Sequence, residues 1–298
     1  GLEADGLIHG FDPKGHLGPK GLRSLDRPTT LALTAAGQAL AQANLPPEGV
    51  GVVLGSAFSG LDSIMGFFEE RLAEGANFVT ASNFSNIVMN AAASQVALRH
   101  GLTRLNSTIS TGQASGLDAI GYGLEMLVAG RADALLVGGL DELGRGSRAV
   151  MAARGAHFRA AEGAAFLVLE RPGRDAVPLA RVLGYGAAFD PGPVRGRAPD
   201  PRAIERAMRL ALGELRGVDA VLASANGQAD LDGAEATAIA TVLGADTPVQ
   251  SPKRLMGDAL GAGGALAAIQ AVTMAGTVLV NAVSETGHCA SVVIGRAR

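Results

Sequence analysis

Gln113 stands in the run Ser110-Thr111-Gly112-Gln113-Ala114-Ser115-Gly116-Leu117-Asp118-Ala119-Ile120, which has the build of a nucleophile elbow. In such a turn a side chain sits at a helix N-terminus, where unpaired backbone N–H groups favour an anion or a developing oxyanion. Cysteine or serine at the apex would be activated for attack on a thioester. Glutamine cannot attack, so the expected chemistry is missing. Ser110, Thr111 and Ser115 flank the apex, and no base is identifiable for any of them.

The remaining reactive side chains offer no replacement. Cys289 follows His288 directly, but neighbours along a strand point to opposite faces, so the two form no couple. Cys289 reads as a small buried hydrophobe. His9, His16, His100 and His157 are scattered without metal-ligand spacing and are expected at the surface; no metal and no cofactor is expected.

The elbow needs a strand before it and a helix after it. Leu105 to Ile109 reads as a buried strand, and Leu117, Ile120, Leu124 and Leu127 recur at helical spacing. Small residues and glycine between them permit the tight turn. Further along, Ala165 to Leu169 reads as a strand, and the Pro/Gly-rich stretch Phe189 to Pro201 as a loop. Arg202 to Leu215 is expected to be a helix with an apolar stripe at Ile204, Ala207, Met208 and Ala211. Val218 to Ala223 reads as a strand, and Gly261 to Ala275 as a small-residue helix able to pack closely at the centre of the molecule.

The elbow run resembles the active-site segment of β-ketoacyl synthases, the thiolase-fold condensing enzymes of fatty-acid and polyketide assembly, in which cysteine holds the place of Gln113. The resemblance continues through Gly121-Tyr122-Gly123-Leu124-Glu125-Met126 and from Ala129 to Gly139. Upstream, Arg23-Ser24-Leu25-Asp26-Arg27 and Gly51-Val52-Val53-Leu54-Gly55 fit the family. Downstream, Ala161 to Glu170 and Val182-Leu183-Gly184-Tyr185-Gly186 fit it in the same order. The implied fold is α/β and thiolase-like. It has two similar α/β halves, residues 1–170 and 171–298, stacked as α-β-α-β-α layers and trimmed relative to typical ketosynthases. No clear sequence repeat marks the two halves.

Carried onto this chain, the family's two catalytic histidines fall on Asn226, in Ala225-Asn226-Gly227-Gln228-Ala229-Asp230, and on Asp258, in the segment Ser251 to Ala265. Lys253 and Glu235 still fit the pattern. The family's C-terminal glycine- and phenylalanine-rich loop reads Asn281 to His288 here. Condensation needs a thiolate to accept the acyl chain and donors for the enolate formed when a malonyl thioester loses carbon dioxide. Asn226 can donate a hydrogen bond. An ionised Asp258 would repel both the malonyl carboxylate and the enolate. Glutamine-for-cysteine domains that decarboxylate malonyl groups keep both histidines, and this chain keeps neither.

The resemblance is therefore greatest to a chain length factor. Such a subunit lacks the catalytic set, completes a dimer with a catalytically complete ketosynthase, and shapes the tunnel for a growing acyl or polyene chain delivered by acyl carrier protein. Phe67, Phe68, Phe78, Phe84, Ile87 and Met89 lie where the family places dimer-interface and tunnel-end residues. Ordinary core packing is the expectation for any one of them; as a group some line the tunnel. Two other readings stay open. One is an enzyme with displaced residues, a 3-oxoacyl synthase or malonyl decarboxylase. The other is a homodimeric acyl-chain-binding protein.

Composition agrees with an enzyme-like globular fold. The chain of 298 residues is long enough for a sizeable core, and its 42 glycines, about twice the usual share, suit many tight turns and close helix packing. Neither a run of about 18 apolar residues nor a basic, apolar leader is present, so no membrane span and no signal peptide is expected. One cysteine fits a reducing, cytoplasmic compartment. A net charge of −3 gives no sign of nucleic-acid binding. The family's opening strand–glycine turn is missing and the 142–162 connection is short. Both changes expose surface that a partner would cover, because open strand edges are rarely left unprotected.

Overall fold

The computed structural model describes residues 5–75, 81–173 and 177–297. In chain order the first ten elements are α1 (Pro13–Leu17), α2 (Arg27–Ala43), β1 (Val50–Gly55), α3 (Leu61–Glu74), α4 (Ala91–His100), β2 (Asn106–Ile109), α5 (Ser115–Val128), β3 (Ala134–Asp141), α6 (Arg145–Ala153) and β4 (Gly163–Glu170). Next come β5 (Ala180–Phe189), α7 (Pro201–Leu212), β6 (Ala220–Leu222), α8 (Ala229–Leu243), β7 (Val249–Gln250) and α9 (Pro252–Met256). The chain finishes with α10 (Gly263–Thr273), β8 (Val278–Val283) and β9 (His288–Arg296).

Local chemistry sets the ends of the main helices. Asp26 caps α2 by accepting from Thr29 N at 3.1 Å, and Pro28 occupies the first turn, where a missing N–H costs nothing. Asp200 and Pro201 start α7 in the same way, at the end of the expected loop. The α7 stripe is buried as expected at Ile204, Ala207, Met208 and Ala211, but the helix stops at Leu212 because Gly213 turns left-handed. The expected 261–275 helix begins only at Gly263, after a 3-10 turn over Leu260–Ala262.

The strands form two sheets, in orders β2-β1-β3-β4 and β5-β9-β8-β6-β7. They carry a duplication that the sequence does not display. Strands β1 and β2 are parallel, as are β1 and β3, while β3 and β4 are antiparallel; β6/β7, β6/β8 and β8/β9 repeat that pattern. Helices α2, α4 and α5 precede the same strands in the first half as α7, α8 and α10 do in the second. Among the strands of the described residues only β5 has no counterpart. Among the described residues nothing pairs with the outer edge of β4, where β9 has β5.

Packing gives the expected five layers. Helices α2 and α4 cover the outer face of the first sheet, α5 and α10 lie between the sheets, and α7 and α8 cover the outer face of the second. The central cluster joins Val53, Leu117, Ile120, Leu135 and Val137 of one half to Ala265, Ala268, Val280 and Val292 of the other. One expectation needs correcting: the strand before the elbow is not buried. It is the edge strand β2, with Asn106 exposed and Ser107 to Ile109 half-buried, because nothing among the described residues pairs with its outer side.

Where the halves meet, backbone touches backbone. A Cβ on Gly139 would lie 2.5 Å from Gly261 O and 3.0 Å from Gly116 Cα. Asp141, at the end of β3, staples this contact. Its fully buried carboxylate accepts from Ser56 Oγ, Ala57 N and Phe58 N in one half and from Gly261 N in the other, at 2.7–2.8 Å. Gly139→Ala should therefore lower stability by about 1–3 kcal/mol, since backbone on both sides cannot yield as a side chain would. Denaturant unfolding reads this, and an unchanged midpoint would show that the halves slide freely.

Candidate functional site

The elbow forms as the sequence leads one to expect. Gly112, with φ of +68°, turns the chain out of β2, and Ser115 fastens the turn by donating to Gly112 O and accepting from Thr111 N. Gln113 is thereby held just before α5 and is only 5% exposed. Its side chain is fully engaged by the segment after β8. Oε1 accepts from Ser284 Oγ at 2.9 Å and Glu285 N at 3.2 Å, while Nε2 donates to Glu285 Oε1 at 3.0 Å.

Asn226 and Asp258 come together in a second network. Asp258 is fully buried in the turn before α10, the counterpart in the second half of the Gln113 turn before α5. Its Oδ2 accepts from Asn226 Nδ2 at 2.9 Å and Lys253 Nζ at 3.1 Å, and its Oδ1 from Leu260 N at 2.9 Å. The Asp258 carboxylate, expected to repel a malonyl group, is an acceptor matched by a buried ammonium. Asn226 Oδ1 in turn accepts from Gln228 N. Lys253, 6% exposed, also donates to Ser224 Oγ. Glu235 accepts from Ser224 N at 2.8 Å; burial pushes its carboxyl up to about 7, against the pull of that hydrogen bond and of the Lys253 charge.

Ser224 links the two networks. Its Oγ accepts from Val283 N at 2.9 Å, and the next residue, Ser284, holds Gln113. Ser224, Ser284 and Glu285 were missed at the sequence level. The available signal was polar residues closing the apolar runs Val221-Leu222-Ala223 and Leu279 to Val283. Behind the elbow, Asp118 accepts from Thr111 Oγ1 at 2.5 Å and Tyr185 OH at 2.9 Å, and His288 Nε2 lies 2.8 Å from it. Burial first, then Asp118, push the Tyr185 phenol up. Cys289 is buried as expected, and burial pushes its thiol up to about 12, which makes it inert.

Phe67, Phe68 and Phe84 lie outside the core clusters. Phe67 meets Phe68 edge-on and lies 6.5 Å from Phe84, but Phe68, Phe84 and Met89 are 47%, 59% and 43% exposed in the chain alone. Ile87 is half-buried beside them, and Phe78 lies outside the described residues. Core packing is therefore corrected to a partly exposed apolar patch. His9, His16 and His157 are exposed, whereas His100 is half-buried, with Nε2 3.1 Å from Leu33 O, and burial lowers its pKa. Among the described residues no helix is long and apolar enough to cross a membrane, and no group of His, Cys, Asp or Glu is arranged to hold a metal.

A duplicated five-layer core with an elbow at its central helix defines the thiolase-like fold, and the match to known families is specific within it. The model of the β-ketoacyl synthase N-terminal domain matches residues 7–172, and that of the C-terminal domain residues 179–286. The chain belongs to the β-ketoacyl synthase family. It is 33% identical over 303 residues to the actinorhodin polyketide putative beta-ketoacyl synthase 2 of Streptomyces coelicolor, covering 90% of this chain and 73% of the relative. It is also 33% identical over 300 residues to the tetracenomycin polyketide synthase ketoacyl synthase beta subunit of Streptomyces glaucescens, covering 89% of this chain and 73% of that one. Among solved structures, the ishigamide ketosynthase/chain length factor superposes with a TM-score of 0.84 at 28% identity, covering 98% of this chain and 87% of the other.

Proposed function

We propose that this chain is a non-catalytic, chain-length-factor-like subunit that pairs with a catalytically complete ketosynthase in type II fatty-acid, polyketide or polyene synthesis. The observation that carries the reading is the Gln113 side chain. Each of its polar atoms is hydrogen-bonded to Ser284 or Glu285, so it fills the elbow as a structural plug. Asn226 and Asp258, at the positions the resemblance assigns to the two histidines, are tied to each other and to Lys253 and provide no general base. Residues 1–170 and 171–298 are the two halves of that subunit.

Partnering is supported by the open β2 edge and by the exposed Phe68, Phe84 and Met89 with the half-buried Phe67 and Ile87 near them. That apolar surface suits a dimer interface and the wall of an acyl tunnel. Similarity to a beta subunit and to a ketosynthase/chain length factor structure points the same way. Acyl carrier protein would deliver its chain to the partner's cysteine, and this subunit would bound the space into which the product grows.

Affinity purification of the tagged protein from its own cells, followed by mass spectrometry, tests the reading. The expected result is one-to-one recovery of a ketosynthase carrying its cysteine and both histidines. Recovery of this protein alone as a homodimer would overturn it.

A further inference from the structure

Away from the elbow, a cavity of about 460 Å³ opens between the segment Leu7 to Phe11, the start of α2, the first turn of α3 and the link from β3 to α6. Leu7, Ile8, Phe11 and Leu143 give it apolar walls. Arg27, Asp62, Glu142 and Glu162 supply its charges. Three carboxylates thus face one guanidinium.

That guanidinium is already committed. Arg27 pairs with both oxygens of Glu162, donates to Ile8 O, and lies 6.0 Å from the centre of the Phe11 ring. Asp62 is held by Arg145 N and Gly146 N at the start of α6. Glu142 is left over. It is 8% exposed, and its buried Oε1 has no hydrogen-bond partner. A buried polar atom without a partner is uncommon and calls for a missing ligand, ion or water. Burial, and after it the nearby charges of Asp62, Asp26, Glu162 and Asp141, push the Glu142 carboxyl up to about 8. The Arg27 guanidinium, already paired with both oxygens of Glu162, offers Glu142 a through-space counter-charge but no hydrogen bond to its Oε1.

The chemistry of the missing group follows from the walls. Among the described residues no set of carboxylates converges as metal ligands, and the volume is many times that of a bare ion. An aliphatic stem would cover Leu7, Ile8 and Leu143, and a cationic head would meet Glu142 and Asp62, while the Phe11 ring is already taken by His16 and Arg27. We propose that this cavity binds an organic cation, a primary ammonium or guanidinium carried on a short aliphatic chain, with Glu142 as its counter-ion. The same chemistry comes from a free alkylamine or from a lysine or arginine side chain of a partner protein.

Titration calorimetry with n-butylammonium and n-butylguanidinium chloride tests the site, with n-butanol and sodium chloride as controls. One saturable site per chain is expected for the two cations and none for the controls. Glu142→Gln, which keeps the shape and removes the charge, should weaken binding at least tenfold, an effect in the range of a lost charge pair. Asp230→Asn, on exposed α8, should leave it unchanged. Absence of binding to the wild-type chain, equal binding of butanol, or full affinity in Glu142→Gln would overturn the proposal. If Glu142→Gln fails to fold, the comparison of butylammonium with butanol on the wild-type chain decides alone. Native mass spectrometry of protein taken from its own cells separates the two sources. A free amine adds its mass to the chain, whereas a partner's side chain leaves the isolated chain bare and displaces butylammonium when that partner is added.

Discussion

Asp258→Ala should cost about 3–5 kcal/mol of folding stability, because it strands the Lys253 ammonium in a dry interior. Lys253 and Asp258 are 6% and 0% exposed at the side chain, and their 3.1 Å contact is the only ion pair either makes among the described residues. The substitution also frees the half-buried Asn226 Nδ2 and the buried Leu260 N. The double variant Asp258→Ala/Lys253→Met should recover most of the loss, since replacing a buried pair by apolar groups is far cheaper than breaking it. Denaturant unfolding of the four proteins in the cycle gives the coupling, expected at about 2 kcal/mol or more. A cost below about 1 kcal/mol for Asp258→Ala would mean that water or another group solvates Lys253.

Gln113→Cys should not create a working condensing enzyme. The new thiol would sit at the α5 N-terminus, which favours a thiolate, but Glu285 Oε1 lies 3.0 Å from the present amide nitrogen and would oppose it. The two positions assigned to the family's histidines hold no imidazole to accept the proton: Asn226 is tied to Asp258 and Gln228, and Asp258 to Lys253. Loss of a positioned general base lowers rates by about 10²–10⁴-fold. Acylation by a short acyl thioester, read as a mass increment on the intact chain, should be slower by that factor than in a Cys–His–His ketosynthase. Adding Glu285→Gln should raise it about tenfold by removing the opposing charge. Prompt, stoichiometric acylation of Gln113→Cys alone would show that the elbow retains its machinery and would sink the structural-plug reading.

The two variants probe different networks for a structural reason. Gln113 belongs to the first half and is held by the loop after β8, while Asp258 belongs to the second half and is held by α9 and the loop after β6. Among the described residues they are linked through Ser224 and the Val283–Ser284 backbone. Stability is therefore expected to follow Asp258 much more than Gln113.

The sequence by itself determined the elbow, the family, the apolar stripe of α7 and the burial of Cys289. Each depends on residues close together in the chain, whose spacing or volume dictates the outcome whatever surrounds them. It also identified Gln113, Asn226, Lys253, Glu235 and Asp258 as the positions to follow, although not what each would touch. Only the tertiary structure decided the rest. Strand β2 is half-exposed because an apolar strand at a sheet edge reads the same as one at its centre, and only the sheet order tells them apart. The duplication is invisible to residue comparison because it lies in strand direction and connection, which many sequences satisfy. The partners of Gln113 lie more than 170 residues downstream, at separations of 171 and 172. The match of Asp258 to Lys253 depends equally on how α9 meets the turn before α10. Burial and charge pairing are properties of that packing, and they turn a carboxylate expected to repel a substrate into one that holds the core together.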